Sequence, residues 1–181
     1  MSYCDFCKDL PNEDIHKIYH DQHYGFPISD DNELFGRFIL EIFQAGLSWN
    51  IILKKAPHFR TAFDSFSIEK IANYDDAKIN LLLANQNIIR NVLKIRSVIY
   101  NAQQILTIQE EFGSFNNWLY LQNVKDLPDW IKLFKKKFKF VGKEIVNEFL
   151  MSTGILEGAH EKSCSIYEEQ LKTRQKWLEN D

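Results

Sequence analysis

The sequence has little of what makes flexible or membrane-spanning proteins. Its 181 residues include only 7 glycines and 4 prolines, which argues against a disordered or loop-dominated chain. No run approaches the roughly 20 apolar residues that a membrane span needs. The first residues, Met1 to Asp5, also lack the basic and apolar regions of a signal peptide. We therefore expect a cytoplasmic protein that has no membrane partner.

An excess of charge of one sign is also absent. The formal net charge is −3 at pH 7, so the chain as a whole does not have the basic character that is typical of nucleic-acid-binding proteins. Two interpretations remain open for one lysine-rich segment: a phosphate-binding patch, or the solvated face of a helix. The lysines of this segment are Lys132, Lys135, Lys136, Lys137, Lys139 and Lys143.

What the chain does have is apolar residues at helical spacing along almost its whole length. Aromatic residues make up 14% of the chain, including 14 phenylalanines, which indicates a ring-rich core. Strand-like alternation is scarce and short, so we predict an all-α bundle of short helices. The predicted helices start after caps at Asp30 and Ser48, after Ser67, at Asp75, near Ile88 (to Leu106), after Ser114, at Pro128, and near Gly142 (to Thr153).

The stretch from Leu40 to Trp49 places a carboxylate close to a large flat ring. Glu41 lies inside an otherwise apolar helix, and burying an ionised carboxylate without a partner costs free energy. Trp49 follows the break at Gly46 and offers a surface on which a flat ligand can stack. The pattern indicates a nucleobase pocket, unless Glu41 points outward and Trp49 fills the core.

Residues of metal-ligand type lie near both ends of the chain. Cys4 and Cys7 form a C-x2-C pair, while His160 and Cys164 form an H-x3-C pair, and each pair matches half of many zinc sites. Spacing alone favours these four residues, although His20 is a fifth candidate for the four places. The alternative is that the cysteines are ordinary free thiols in the reducing cytosol.

Two enzyme classes can be excluded from motifs. His16 and His20 have the spacing of a metalloprotease helix, but Lys17 stands where the glutamate must follow the first histidine. No glycine-rich phosphate loop and no G-x-S-x-G nucleophile turn is present, and Ser48 has no obvious general-base partner. The chemistry therefore points away from metalloproteases and serine hydrolases.

Two segments carry most of a family resemblance: Q-A-G-L-S-W (44–49) and F-K-F-V-G (138–142). With further residues in matching order from residue 4 to residue 164, they resemble the DNA-3-methyladenine glycosylase I family, to which both segments are specific. The resemblance implies an all-α, helix-hairpin-helix DNA glycosylase fold in a single domain over 1–181. A zinc clasp would join the segments 1–24 and 155–165, and the tail 166–181 could form a helix between Tyr167 and Trp177. The other matching residues are Cys4, Tyr19–Asp21, Gly25, Pro27, Leu40–Glu41, Leu53–Lys55, Ile88–Arg90, Lys94–Ile95, Asn101–Ala102, Gly154–Leu156, His160 and Cys164.

The resemblance also implies the metal and its ligands. One structural zinc ion per chain would be held by Cys4, His20, His160 and Cys164, which leaves Cys7 as an extra thiol.

The same resemblance implies how the substrate is bound. Glu41, the catalytic residue, and Tyr19 would hydrogen-bond the excised base, and Trp49 would stack on it. Other aromatic pocket positions of the family fall on Phe6, His16 and Tyr24.

The implied activity is the excision of 3-methyladenine from alkylated double-stranded DNA, in base excision repair. The base must be flipped out of the duplex before it is cut. Because N3-methylation makes the attached adenine cationic, the base leaves neutral and needs no strong general acid. No lysine nucleophile is assigned, so we expect a monofunctional enzyme that does not cut the strand. We also expect a monomer. DNA contact is expected around Ile88 to Lys94, with added charge from Arg90, Lys94 and Lys139.

Departures from the family pattern leave alternatives open. Tyr24 stands where the family has a tryptophan, and His16 where a tyrosine is common; Ile42-Phe43 is more apolar than usual, and Leu121–Trp130 is shorter. One alternative is therefore a glycosylase with a shifted lesion preference. Others are a catalytically inactive, zinc-containing DNA-binding relative, and an interaction module whose lysine segment contacts an acidic protein partner.

Overall fold

The computed structural model describes residues 2–179, so Met1, Asn180 and Asp181, which the domain and tail predictions included, lie outside the described residues. Between residues 2 and 179 the chain forms helices and no strand, which confirms the all-α prediction. No helix in this range combines the length and the hydropathy needed to cross a membrane. The α-helices are α1 (Tyr3–Lys8), α2 (Ile15–Gln22), α3 (Asp31–Gln44), α4 (Trp49–Ala62), α5 (Ile68–Ala72), α6 (Asp76–Ala84), α7 (Val92–Phe112), α8 (Phe115–Leu121), α9 (Leu127–Lys137), α10 (Lys143–Ser152) and α11 (Tyr167–Leu171), with 3₁₀ turns at Asp64–Phe66 and Lys176–Leu178.

The core is organised around α3, which packs against α4, α5, α7, α8 and α10. Its apolar residues are spaced so that one broad face is buried. Phe38 lies at the centre of this face. Its ring centroid is 5.8 Å from that of Phe134, 5.3 Å from that of Phe138 and 4.9 Å from that of Phe149. The phenylalanines thus form the ring-rich core that the composition predicted.

Several predicted helix starts are confirmed by side-chain caps. The Asp30 carboxylate accepts from the Glu33 amide at 2.9 Å at the start of α3. Ser114 accepts from the Asn117 amide at 2.9 Å at the start of α8. Each cap satisfies an amide that has no partner within the helix. Ser48 precedes α4 as predicted, but its hydroxyl makes no capping hydrogen bond.

Two predicted helix boundaries are wrong. Helix α7 begins at Val92 rather than near Ile88, because Asn91 caps it by accepting from the Lys94 amide at 3.1 Å. Ile88 is buried in the preceding loop, so its apolar spacing suggested a helix that is not there. Helix α7 also runs past Leu106 to Phe112.

The predicted terminal helix from Tyr167 to Trp177 is shorter than expected, since α11 ends at Leu171. Beyond it the chain turns. The side-chain amides of Gln170 and Gln175 each donate to the Gly25 carbonyl at 3.1 Å. The tail is therefore anchored by buried amides beside the segment that follows α2.

Candidate functional site

A cavity of about 710 Å³ opens between the N-terminal helices, α3, α4 and α10. Four of the predicted base-binding residues lie in its wall: Tyr19 from α2, Tyr24 just after it, Glu41 from α3 and Trp49 from α4. Concave sites that combine aromatic walls with a few polar groups are typical of small-molecule pockets. The other lining residues are Ser2, Tyr3, Cys4, Gln44, Ala45, Gly46, Glu144, Ile145, Glu148, Gly158, Ala159 and Glu161.

The carboxylate of Glu41 is the buried acid of this cavity. Glu41 is only 3% exposed, which answers the sequence-level alternative that it points outward. Burial raises its pKa to about 8, the nearby Arg37 guanidinium opposes the rise, and the charge of Glu148 adds to it. Between residues 2 and 179 no side chain or amide donates a hydrogen bond to this carboxylate, so its oxygens remain available to a ligand.

Tyr19 is held in place from behind by Arg37, which lies one helical turn before Glu41 on α3. Nη1 of Arg37 donates to the Tyr19 hydroxyl at 3.0 Å and to the Ser152 carbonyl at 3.4 Å. Since the Tyr19 oxygen accepts from Arg37, its own proton is free to be donated to a base. Burial raises the pKa of Tyr19, which keeps it protonated.

Trp49 and Tyr19 form an aromatic corner of the cavity. Their ring centroids are 5.1 Å apart and their planes are tilted by 57°. The indole N–H of Trp49 is buried and has no hydrogen-bond partner among the described residues. The ring is thus fixed by packing rather than by hydrogen bonds, and it presents a flat surface to the cavity.

Tyr24 lies just after α2 and connects this part of the cavity wall to α10. Its hydroxyl donates to Oε2 of Glu148 at 3.3 Å. Burial raises the pKa of Glu148, while the hydrogen bond from Tyr24 opposes this rise. A second carboxylate is therefore held in the cavity wall by a tyrosine of the predicted site.

Phe6 and His16, which were also predicted to bind the base, do not line this cavity. Tyr3 stands in the wall instead. The Phe6 ring stacks on the Tyr3 ring at 6.1 Å, and His16 Nδ1 lies 3.1 Å from the Tyr3 hydroxyl. The structure thus places the two residues outside the wall, where they contact Tyr3, and 46% of Phe6 is exposed.

A compact cluster of metal-ligand side chains lies beside the cavity. Cys4, His20, His160 and Cys164 each offer one donor atom, and these atoms lie within 4.8 Å of one another. Nδ1 of His160 is 3.8 Å from the Sγ atoms of both Cys4 and Cys164, and Nε2 of His20 is 3.8 Å from Cys164 Sγ. A tetrahedral zinc ion with ordinary bond lengths would separate sulfur and nitrogen ligands by about 3.6 Å, so the donor set fits that metal.

The other nitrogen of each histidine has a partner that fixes the ring. Nε2 of His160 lies 2.8 Å from the Tyr24 carbonyl oxygen, which can only accept. Nδ1 of His20 lies 2.6 Å from Asp21 Oδ1. Hence the nitrogens that face the cluster are left free to bind a cation.

Cys7, which spacing alone had placed in the metal site, lies apart from the cluster. It is fully buried, and its thiol donates to the His16 carbonyl at 3.7 Å. The set gathered in space is therefore the one that the family resemblance implied, with His20 in place of Cys7.

The three predicted DNA contacts differ in exposure. Arg90 and Lys139 are exposed. Lys94 is 5% exposed, and its ammonium donates to the carbonyls of Phe43 at 3.0 Å and Ala45 at 2.8 Å. The prediction for Lys94 is therefore corrected: its charge satisfies carbonyls at the C-terminus of α3 rather than facing solvent.

Sequence reasoning missed three residues of the site. Arg37 could have been found from its position four residues before Glu41, which places both on one helix face. Tyr3 and Glu148 carry no local signal. They join the site only because the fold brings α1 and α10 to α3.

Comparisons with known proteins relate this chain to the methyladenine glycosylases. The family model for methyladenine glycosylase matches residues 10–129. The DNA-3-methyladenine glycosylase of Haemophilus influenzae is 31% identical over 178 residues, covering 87% of this chain and 95% of that protein. DNA-3-methyladenine glycosylase 1 of Escherichia coli is 28% identical, covering 89% of this chain and 96% of that protein. A solved variant of 3-methyladenine DNA glycosylase I in complex with 3-methyladenine has a TM-score of 0.79 and 31% identity, covering 92% of this chain and 97% of that chain.

Proposed function

The chain belongs to the methyladenine glycosylase family, and from this premise we propose that it is a DNA repair glycosylase that excises 3-methyladenine from alkylated DNA. The observation that carries the proposal is the buried carboxylate of Glu41, which faces a cavity walled by Tyr19 and Trp49 and receives no hydrogen bond from residues 2–179. Such a carboxylate costs stability in the free protein. It is useful where a ligand supplies the missing charge or donor.

Glu41, Tyr19 and Trp49 each have a distinct part in binding the flipped base. Glu41 accepts from the amino edge of the purine, Tyr19 donates its free proton, and Trp49 stacks on the ring. The positive charge of the methylated base favours the ionised form of Glu41, against the burial that raises its pKa. Binding therefore favours the methylated, cationic form of the nucleotide.

The chemical step replaces the base by water. The water oxygen bonds to C1′ of deoxyribose, the C1′–N9 bond breaks, and its electron pair neutralises the positive charge on the base. The water gives one of its two protons to solvent and keeps the other as the new C1′ hydroxyl, and neutral 3-methyladenine leaves. Electrostatic stabilisation by Glu41 of the charge that spreads onto the sugar lowers the barrier. No lysine is used as a nucleophile, so the strand is not cut.

One structural zinc ion, held by Cys4, His20, His160 and Cys164, completes the proposed fold. The support is the donor chemistry and spacing of the cluster, together with the hydrogen bonds that fix both histidine rings. When bound, the ion would supply cross-linking rather than catalysis, because all four of its places are taken by protein.

DNA is proposed to bind at a helix-hairpin-helix formed by α6, the loop 85–91 and α7. Arg90 in that loop and Lys139 add positive charge, and amides at the start of α7 can donate to phosphate. Exposed Val92 and Leu93 lie at the same helix start. The partner is thus double-stranded DNA that carries an alkylated adenine, bound by a single-domain monomer.

The test is the release of bases from methylated duplex DNA, resolved by chromatography, for the wild type and for Glu41→Gln. We expect 3-methyladenine from the wild type and at least about a hundredfold less from the variant. The exposed Glu69→Gln variant is the control and should match the wild type. Release of a different base would instead support a shifted lesion preference at Tyr24, and no release from folded protein would contradict the proposed activity.

A further inference from the structure

One wall of the base cavity, formed by α10, carries two more carboxylates. Glu144 and Glu148 are four residues apart, so they share one helix face, and both line the cavity. Like charges at this spacing destabilise a helix. Glu144 lies in the first turn, where the helix dipole favours a negative charge, but Glu148 lies beyond it. Helix stability therefore does not account for Glu148.

The charged side chains that the structure describes in the cavity wall are all acidic. Among the described residues, its wall contains four glutamates and no lysine, arginine or histidine. Arg37 approaches Glu41 from behind, where it lines a separate groove with His23 and Glu33. A cavity of one charge sign concentrates the opposite charge. The acids of the wall are Glu41, Glu144, Glu148 and Glu161.

Glu148 is held so that its charge faces the same space as that of Glu41. The Tyr24 hydroxyl donates to Glu148 Oε2 at 3.3 Å, and this bond favours the ionised form against partial burial. The charge of Glu148 in turn raises the pKa of Glu41. A cation between them would stabilise both carboxylates, whereas a neutral ligand would leave their repulsion in place.

We propose that Glu148 is a specificity-determining residue, the second carboxylate of the base cavity, which selects a positively charged purine over a neutral purine of nearly the same shape. The inference rests on the proposed function and deepens it, because it assigns charge discrimination to a residue other than Glu41. The Tyr24 hydroxyl is the group that positions this carboxylate.

The experiment compares two free ligands by calorimetric titration of the full-length protein. The cationic probe is the 3,9-dimethyladeninium ion, in which a methyl group replaces the deoxyribose, and the neutral probe is 3-methyladenine. We expect Glu148→Gln to weaken binding of the cation about tenfold, as the loss of one close charge predicts, and to leave binding of the neutral base nearly unchanged. Glutamine keeps the size of the side chain and can still accept from Tyr24.

Two further variants separate charge from structure. Glu148→Asp keeps the charge and should retain the preference for the cation. Glu157→Gln removes an exposed charge from the segment next to the cavity wall and should change neither affinity. Equal weakening of both probes by Glu148→Gln, or no change in either, would overturn the inference.

A separate assay of base release from methylated DNA distinguishes a failure of the Glu148 proposal from a failure of the proposed function. A wild type that releases 3-methyladenine, together with a Glu148→Gln variant that still prefers the cation, would overturn only the role of Glu148. A wild type that releases no base would overturn the proposed function.

Discussion

At the scale of single residues, the carboxylate of Glu41 opposes folding. Its pKa in the folded protein is raised from 4.5 to about 8, so the folded state keeps a proton that the unfolded chain loses. The stability that this proton contributes is therefore complete below pH 4.5 and is lost as the pH rises towards 8. Burial of an acid that receives no hydrogen bond from any of the described residues is thus tolerated at the expense of stability.

Glu41→Gln should therefore stabilise the protein at alkaline pH. We expect the free energy of unfolding of the variant to exceed that of the wild type by on the order of 2 kcal/mol above pH 8 and to match it near pH 5. Urea unfolding across this pH range measures the difference. Glu69→Gln, an exposed change, should show no such trend, and a difference for Glu41→Gln that does not grow with pH would contradict the argument.

Arg37 should set the pH range in which the enzyme works. Its guanidinium opposes the rise in the pKa of Glu41 and donates to Tyr19. The kcat/KM of the wild type should rise with pH as Glu41 ionises, with a midpoint near 8. Arg37→Met should move this midpoint to higher pH and lower activity at pH 7 by about tenfold.

Arg37→Lys keeps the charge and should restore most of the profile. Arg60→Met removes an arginine that pairs with Glu33 outside the cavity wall and serves as the control. An unchanged midpoint in Arg37→Met would show that Arg37 acts only by packing.

The sequence could predict those site residues that stand together in one short, distinctive segment. Glu41 and Trp49 stand in one short segment with a distinctive residue pattern, and the cavity contains both. Glu148 and Tyr3 have no such segment, because they reach the cavity only through the packing of α10 and α1. The burial of Lys94 could not be predicted, since nothing in the neighbouring sequence indicates that its ammonium donates to the carbonyls at the end of α3.

At the scale of elements, Lys94 of α7 fixes the end of α3 that leads into the cavity. Its ammonium donates to the carbonyls of Phe43 and Ala45, which lie at the end of α3 and have no amide donor within the helix. The helix starts capped by Asp30 and Ser114 could be predicted to within a residue. The start of α7 could not, although Asn91 caps it, because buried Ile88 in the preceding loop continues the apolar spacing.

Lys94→Met should therefore affect stability and not the salt dependence of DNA binding. Loss of the two hydrogen bonds leaves buried carbonyls without donors, and we expect unfolding to become easier by about 2 kcal/mol. The slope of log K against log[salt] should stay as in the wild type. By contrast, Arg90→Ala and Lys139→Ala should each reduce that slope by about one.

Fluorescence anisotropy with a duplex at several salt concentrations, alongside urea unfolding, separates the two effects. A Lys94→Met variant of normal stability and reduced salt slope would restore the original prediction that Lys94 contacts phosphate.

At the scale of the whole molecule, the cluster of cysteine and histidine side chains joins residues from the two ends of the chain. Cys4 and His20 come from α1 and α2, whereas His160 and Cys164 follow α10. Cys4 and the neighbouring Ala159 also line the base cavity. The residue types and the family resemblance could predict that these four residues group together, but not that the same cluster forms part of the cavity wall.

Removal of the metal should therefore loosen both the fold and the site. We expect one zinc ion per wild-type chain by elemental analysis, and a large fall in Tm with a strong chelator, since structural zinc contributes on the order of 10 kcal/mol. Base release should fall along with Tm, because the wall that contains Cys4 is no longer fixed.

Cys164→Ser and His20→Ala should lose the zinc. Cys7→Ser is the matched control and should keep it, because the Cys7 thiol bonds to the His16 carbonyl instead. Zinc-free protein with an unchanged Tm and normal base release would contradict the clasp.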